Sequence, residues 1–207
     1  MVGGNKMKIE EALKALKESK RNFKQKIDLI INLKNIDLKK PENRIKKEII
    51  LPYGKGEPAK VCVISEDNFS KEKIEALAQS KKEAKKFVKS YDFFLASPSL
   101  MPVIGKSLGK YMAPLDKIPQ PLPPNATNDV IENIIKIKEK SVKFALKSGL
   151  NIQLSVGNED MKDEEIIENI KTVIKEVEKA LPKGSAQIKN IMIKKTMSKP
   201  IKIDIPK

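Results

Sequence analysis

The alternating apolar segments of this chain are divided between its two ends, and that division most limits what it can fold into. Ile27, Leu29, Ile31 and Leu33 alternate with polar residues near the start. Ile152, Leu154 and Val156, then Ile191 and Ile193, and finally Ile201, Ile203 and Ile205 do the same near the finish. Period-two alternation marks strands with one buried face, and one or two such strands cannot bury that face alone. From residue 150 onward the pattern reads strand–helix–strand. The helix places Ile166, Ile170, Val173, Ile174, Val177 and Leu181 on one side, can be capped by Asp163, and is stopped by Pro182 and Gly184. These segments need the strands of residues 27–51 to complete a sheet. The prediction is a discontinuous first domain, residues 1–59 with 150–207, joined by a helix over 6–20 that buries Ile9, Ala12, Leu13 and Leu16.

Residues 60–149 then form an inserted second domain, entered through the turn-rich run Pro52-Tyr53-Gly54-Lys55-Gly56-Glu57-Pro58. Val61–Ile64 is a continuous apolar strand of the doubly buried kind. Ser70 can cap a helix stapled by Phe69 and Ile74, and Ser80 with Glu83 forms a capping box before another. Asp92–Ala96 is a second buried strand and residues 101–112 read as helix. The five prolines between Pro114 and Pro124 dictate extended loop, and a helix begins again around Val130. Strands alternating with helices indicate an α/β domain with a parallel sheet.

The 207 residues include no His and one Cys. Histidine general bases, Ser-His-Asp and Cys-His catalysis and His-containing zinc sites are thereby excluded. Cys62 lies in the apolar run Val61-Cys62-Val63-Ile64, where a buried inert thiol is expected, and no disulfide can form within the chain. The opening residues carry no apolar signal segment, and no apolar run is long enough to span a bilayer, so a cytoplasmic protein with no membrane partner is expected. Gly105-Lys106-Ser107 resembles the tail of a P-loop, but Leu100 stands where its first glycine belongs. Gly54-Lys55-Gly56 lacks the third glycine of a dinucleotide fingerprint. Asp163, Glu164, Glu165 and Glu168 suit a helix N-terminus, where carboxylates complement the dipole. No cofactor and no metal is implied.

Charge points further. The chain is net +15, with 16 basic and 8 acidic residues among 1–60 and 7 basic against Asp204 alone among 182–207. Two basic ends that meet would attract a polyanion through phosphate contacts and counterion release. Phe23 stands inside Lys20-Arg21-Asn22-Phe23-Lys24-Gln25-Lys26, where an aromatic can stack on a base while cations hold phosphates, or can equally anchor a helix–strand junction. Lys194-Lys195-Thr196-Met197-Ser198-Lys199 offers hydroxyls and cations to RNA, or is an ordinary strand connection. The competing reading is a small α/β enzyme acting on an acidic or nucleotide substrate through lysines such as Lys106.

Those two clusters, with Asp28-Leu29-Ile30-Ile31-Asn32-Leu33-Lys34, Asp37-Leu38-Lys39-Lys40-Pro41-Glu42-Asn43-Arg44, Leu51-Pro52-Tyr53-Gly54-Lys55-Gly56, Tyr91-Asp92-Phe93-Phe94 and Leu100-Met101-Pro102-Val103-Ile104-Gly105, resemble the large-subunit ribosomal protein family of the mobile L-one stalk, in its archaeal form. The resemblance implies a discontinuous split β-α-β, ferredoxin-like domain and an inserted Rossmann-like domain. It also implies binding to large-subunit ribosomal RNA, repression through the protein's own mRNA, a location near the tRNA exit of the ribosome, and a free monomer. Its RNA-binding positions fall on Arg21, Asn22, Phe23, Lys24, Lys39, Lys147, Ser148, Gly149, Lys195, Thr196, Met197 and Ser198. Ser198 and Lys199 stand where the family's Thr-Met-Gly motif has glycine, and Met112-Ala113-Pro114-Leu115 departs from its usual Gly-Pro-Arg-like stretch.

Overall fold

The computed structural model describes residues 7–18, 22–38, 40, 43, 45–66, 68–123, 128–146 and 149–204. The chain divides into two compact units, residues 1–58 with 140–207, and residues 59–139.

The terminal unit begins with α1 (Ile9–Glu18), whose buried face is Ile9, Ala12, Leu13 and Leu16. Its sheet comprises β1 (Lys26–Leu33), β7 (Asn151–Asn158), β8 (Ile188–Lys195) and β9 (Ile201–Ile203), in the order β7-β1-β8-β9 with every pairing antiparallel. Strand β1 lies between β7 and β8, which α7 (Asp163–Ala180) connects, so the arrangement is a split β-α-β. The core sits between the sheet and both helices: Ile27, Leu29, Ile31 and Leu33 from β1 meet Ile152, Leu154, Val156, Ile191 and Ile193 and the α7 stripe Ile166, Ile170, Val173, Ile174 and Val177. Asp163 is the first residue of α7 and not its cap. Glu165 Oε2 accepts the Lys162 N–H at 3.2 Å, and Asp163 instead pairs with Lys17 of α1.

A two-stranded antiparallel sheet, β2 (Lys46–Ile50) with β6 (Ser141–Ala145), completes this unit. Here the structure differs from the sequence division. The second boundary, expected at 149/150, falls at 139/140 because Ile49 pairs with Val142 and both enter the terminal core with Phe144 and Leu146.

The inserted unit has a parallel sheet, β3 (Val61–Ile64), β4 (Phe93–Ala96) and β5 (Gln120–Pro121), in chain order. The connections are α2 (Lys71–Gln79) and α3 (Lys81–Ser90), then α4 (Met101–Ser107) and α5 (Gly109–Met112), and α6 (Asn128–Glu139) follows. Ser70 and Ser80 cap α2 and α3, their hydroxyls accepting the N–H groups of Lys73 and Glu83. Cys62, Ile64, Phe94 and Ala96 share one core with Ile74, Ala84, Val88, Ile104 and Met112, while Phe93, on the other face, lies under Lys138 of α6. Burial pushes the Cys62 thiol up to about 11, so it is protonated and unreactive at neutral pH.

Within the proline run, expected as loop throughout, Gln120 and Pro121 pair with Leu95 and Ala96. An edge strand tolerates a proline, and the Leu122 N–H supplies the next bond, 2.9 Å from the Ala96 carbonyl. Gly105-Lys106-Ser107 ends α4 and forms no phosphate-cradling turn before a helix. No helix among the described residues is long and apolar enough to cross a membrane.

Candidate nucleic-acid interface

Register brings three strand ends together at one edge of the terminal sheet. Lys26 of β1 faces Asn158 of β7, and Ile27 faces Lys195 of β8. Gln25, almost fully buried, ties the loops that leave these ends. Its Oε1 accepts the Met197 N–H at 3.2 Å, its Nε2 donates to Glu159 Oε1 at 3.3 Å, and its carbonyl accepts the Glu159 N–H at 3.2 Å. The Thr196 N–H donates to the Lys26 carbonyl at 3.1 Å. The turn after β8 closes through the Ser198 N–H on the Lys195 carbonyl, 3.0 Å, and the Lys195 N–H on Ser198 Oγ, 2.8 Å. Among the described residues only Asn35 and Asp116 are non-glycines with positive φ, so Ser198 fits this turn without left-handed backbone.

A fourth loop, residues 51–57, is held against the same edge by Asn169 of α7. Its fully buried amide donates to the carbonyls of Gly54, 2.7 Å, and Val156, 2.9 Å, and accepts the Tyr53 N–H at 3.2 Å. Gly56 has φ +83°, and a Cβ there would lie 2.4 Å from Asn158 Nδ2, so only glycine lets the two loops approach.

The packing beneath these loops leaves Asn22, Lys24, Phe23 and Thr196 exposed, with Phe23 at 50 % and Met197 at 58 % accessibility. Phe23 is therefore not a core anchor. The surface is less cationic than its sequence suggests, because carboxylates stitch it: Lys24 to Asp160 at 2.6 Å, Lys26 to Glu57 at 3.0 Å, and Lys195 to Glu159 at 2.6 Å. The hydrogen bond and charge of Asp160 raise the pKa of Lys24, keeping it cationic.

Lys195 departs from the sequence reading. Expected among the RNA-contacting cations, it is 1 % exposed and paired internally. The cause is strand periodicity, since Ile191, Ile193 and Lys195 point to the same, helix-covered face. Gly149 is exposed but lies at the opposite end of β7, where the Leu33 N–H bonds the Leu150 carbonyl at 2.7 Å. Eight residues of strand, roughly 25 Å, separate it from the Gln25 junction, so the structure does not bring it together with Phe23 and Thr196. Arg21, Lys39, Lys147 and Ser148 lie outside the described residues.

One surface went unnoticed in the sequence. The sheet face turned away from α1 and α7 presents mostly polar rows, Ser155, Asp28 and Lys194, then Gln153 and Lys202 flanking Ile30 and Met192, then Asn151, Asn32 and Asn190. Asn32 Nδ2 donates to Asn190 Oδ1 at 2.7 Å. Burial raises the pKa of Asp28, opposed by Lys194, a hydrogen bond from Gln153, and Lys26. The signal was available, because the alternation that buries Ile27, Leu29 and Ile31 sends Asp28, Ile30 and Asn32 to the other side.

These features define a class: a mixed α/β protein whose discontinuous antiparallel unit carries a polar surface, with a parallel-sheet unit inserted into it. The chain belongs to the ribosomal protein L1p/L10e family, whose sequence model matches residues 15–199. It is 41 % identical to the large ribosomal subunit protein uL1 of Pyrococcus abyssi over 96 % of each chain. The protein of the same name from Thermococcus kodakarensis is 38 % identical, over 94 % of this chain and 97 % of its own, and that of Methanocaldococcus jannaschii 38 % identical, over 94 % and 95 %. The family is structural and not enzymatic, which removes the alternative of a lysine-dependent α/β enzyme.

Proposed function

We propose that the terminal unit binds large-subunit ribosomal RNA through the loop junction around Gln25 and the polar sheet face beside it. Family membership places the chain in the ribosome, and so in the cytoplasm. The observation that carries the reading is the outward display of Phe23, Thr196 and Met197 from loops immobilised by one buried amide. An exposed aromatic on a rigid frame can stack on an unpaired base, and Thr196 Oγ1, 3.4 Å from the Lys26 carbonyl, keeps lone pairs for a sugar 2′-hydroxyl. Lys24 and Lys26 already sit opposite carboxylates and can turn to phosphates when RNA arrives.

Binding of the chain to a large-subunit RNA stem-loop, compared with Phe23→Ala and Thr196→Val, tests the reading. Thr196→Val leaves an RNA hydroxyl unpaired and is expected to weaken binding by about 1–3 kcal/mol with an unchanged melting temperature. If both variants bind the RNA as the parent does while remaining folded, the surface is not the RNA site. The resemblance extends the proposal to a messenger stem-loop that mimics the ribosomal one. That extension is tested by competition: the messenger of this chain must displace the ribosomal fragment from the same surface.

A further inference from the structure

The inserted unit carries its charge in one place. Residues 59–139 hold 13 basic and 10 acidic side chains, and α3 alone has five of the basic ones against Glu83, so the rest of the unit is net acidic. Lys81, Lys82, Lys85, Lys86 and Lys89 are all exposed, and none of them is ion-paired among the described residues. Their backbone is fixed from beneath: Ala84 and Val88 are buried, and Phe87 packs edge-to-face against Phe69 and Tyr91. Lys117 is not part of this row: its half-buried ammonium caps the end of α3, donating to the carbonyls of Val88, 3.1 Å, and Tyr91.

This arrangement opposes helix stability. Lys82 with Lys85 and Lys86, and Lys85 and Lys86 with Lys89, are like-charge neighbours on adjacent turns, and Lys81 and Lys82 meet the positive end of the dipole. The first turns of α1 and α7 carry acids and no lysine, whereas that of α3 sets Lys81 and Lys82 beside Glu83. A polyanion relieves the repulsion, and Lys82, Lys85, Lys86, Lys89 and Ser90 line a shallow open depression of about 470 Å³. None of the exposed large apolar side chains lies on α3, and neither arginine of the chain does. An acidic protein partner has no anchor there, and an unpaired base has no exposed ring to stack on. Lysine point charges at helical spacing suit phosphates.

We propose that the exposed face of α3 is a second RNA-binding surface, which takes the phosphate backbone of a duplex segment without regard to its sequence. It is separate from the ribosomal-RNA site proposed above and independent of Phe23 and Thr196.

The probe is a labelled RNA duplex of arbitrary sequence and about 20 base pairs, longer than the span of an ordinary duplex-binding domain. Its binding to the full chain is followed by fluorescence anisotropy across a salt series. A variant with Lys82, Lys85, Lys86 and Lys89 all changed to Gln is compared with one in which the exposed Lys8, Lys14, Lys171 and Lys175 are changed likewise. The α3 variant is expected to bind at least tenfold more weakly, with a salt slope shallower by about three, and the control variant less than threefold more weakly. Equal losses in the two variants, or none in the first, overturn the proposal. So does an α3 variant that loses poly-glutamate but keeps the duplex, which identifies an acidic protein as the partner. Acetylation footprinting of the unmodified chain reads the site directly. The duplex is expected to protect Lys82, Lys85, Lys86 and Lys89, and undiminished reactivity there overturns the proposal even if the variant fails to fold.

Discussion

Lys195 and Thr196 are neighbours in the chain with opposite surroundings, one buried against Glu159 and the other exposed. Lys195→Ala leaves Glu159 without its cation in a largely buried position and is expected to cost about 3 kcal/mol in denaturant melts. Replacing both Lys195 and Glu159 by Met should recover much of that loss, whereas Lys24→Ala, at a solvent-exposed pair, should melt close to the parent. A melt of Lys195→Ala that matches the parent would show the pair to be dispensable. Glu176 gives a pH test. Hydrogen bonds from Lys179 and Lys47, each 2.8 Å, lower its pKa from 4.5 to about 2. Because the folded value is the depressed one, the stabilisation is complete above pH 4.5 and is lost as pH falls through about 2. Glu176→Gln should therefore lower the melting temperature at pH 7, by the equivalent of about 1 kcal/mol for a partly exposed pair, and leave it unchanged near pH 2.

At the scale of elements, α7 both covers the sheet and holds the 51–57 loop. Asn169 lies on its buried stripe and satisfies three backbone groups from two other segments. Asn169→Ala strands the Gly54 and Val156 carbonyls and is expected to destabilise by about 3 kcal/mol, with faster amide exchange at Tyr53. Normal protection at Tyr53 in that variant would show that the loop is held by other contacts. The sequence offered only an asparagine amid an apolar face. Its role depends on the carbonyl of Gly54, 115 residues away in the chain. Strand β6 was legible in principle, since Val142, Phe144 and Leu146 alternate, yet five residues of alternation directly after a helix do not announce their partner.

For the whole molecule, the two crossings between units at 58/59 and 139/140 dictate where the chain can be cut. A Gly/Ser bridge from Pro58 to Lys140 keeps β6 paired with β2, whereas a join at 150 deletes that strand and exposes Ile49 and Leu51. The bridged chain is expected to unfold cooperatively and to bind the ribosomal RNA stem-loop within severalfold of the full chain. Its log K against log salt should slope between roughly −3 and −5, for about five phosphate contacts. Loss of RNA binding in a bridged chain that folds would move the ribosomal-RNA site to the inserted unit.

Local sequence determined the strands other than β5 and β6, the amphipathic helices, the serine caps and nearly the whole terminal core, because apolar periodicity is written residue by residue and burial follows it. The same alternation, carried two residues past Ile193, points Lys195 inward, although its place in a basic cluster led to the expectation of an RNA-contacting cation. What only the tertiary structure decided is which segments meet: that β6 belongs with β2, that Gln25 joins three strand ends, that Glu57, Glu159 and Asp160 neutralise part of the basic cluster, and that Gly149 stands a strand's length from Thr196. Pairing between distant segments depends on register and chain closure. Those are properties of the assembled sheet, and no window of neighbouring residues contains them.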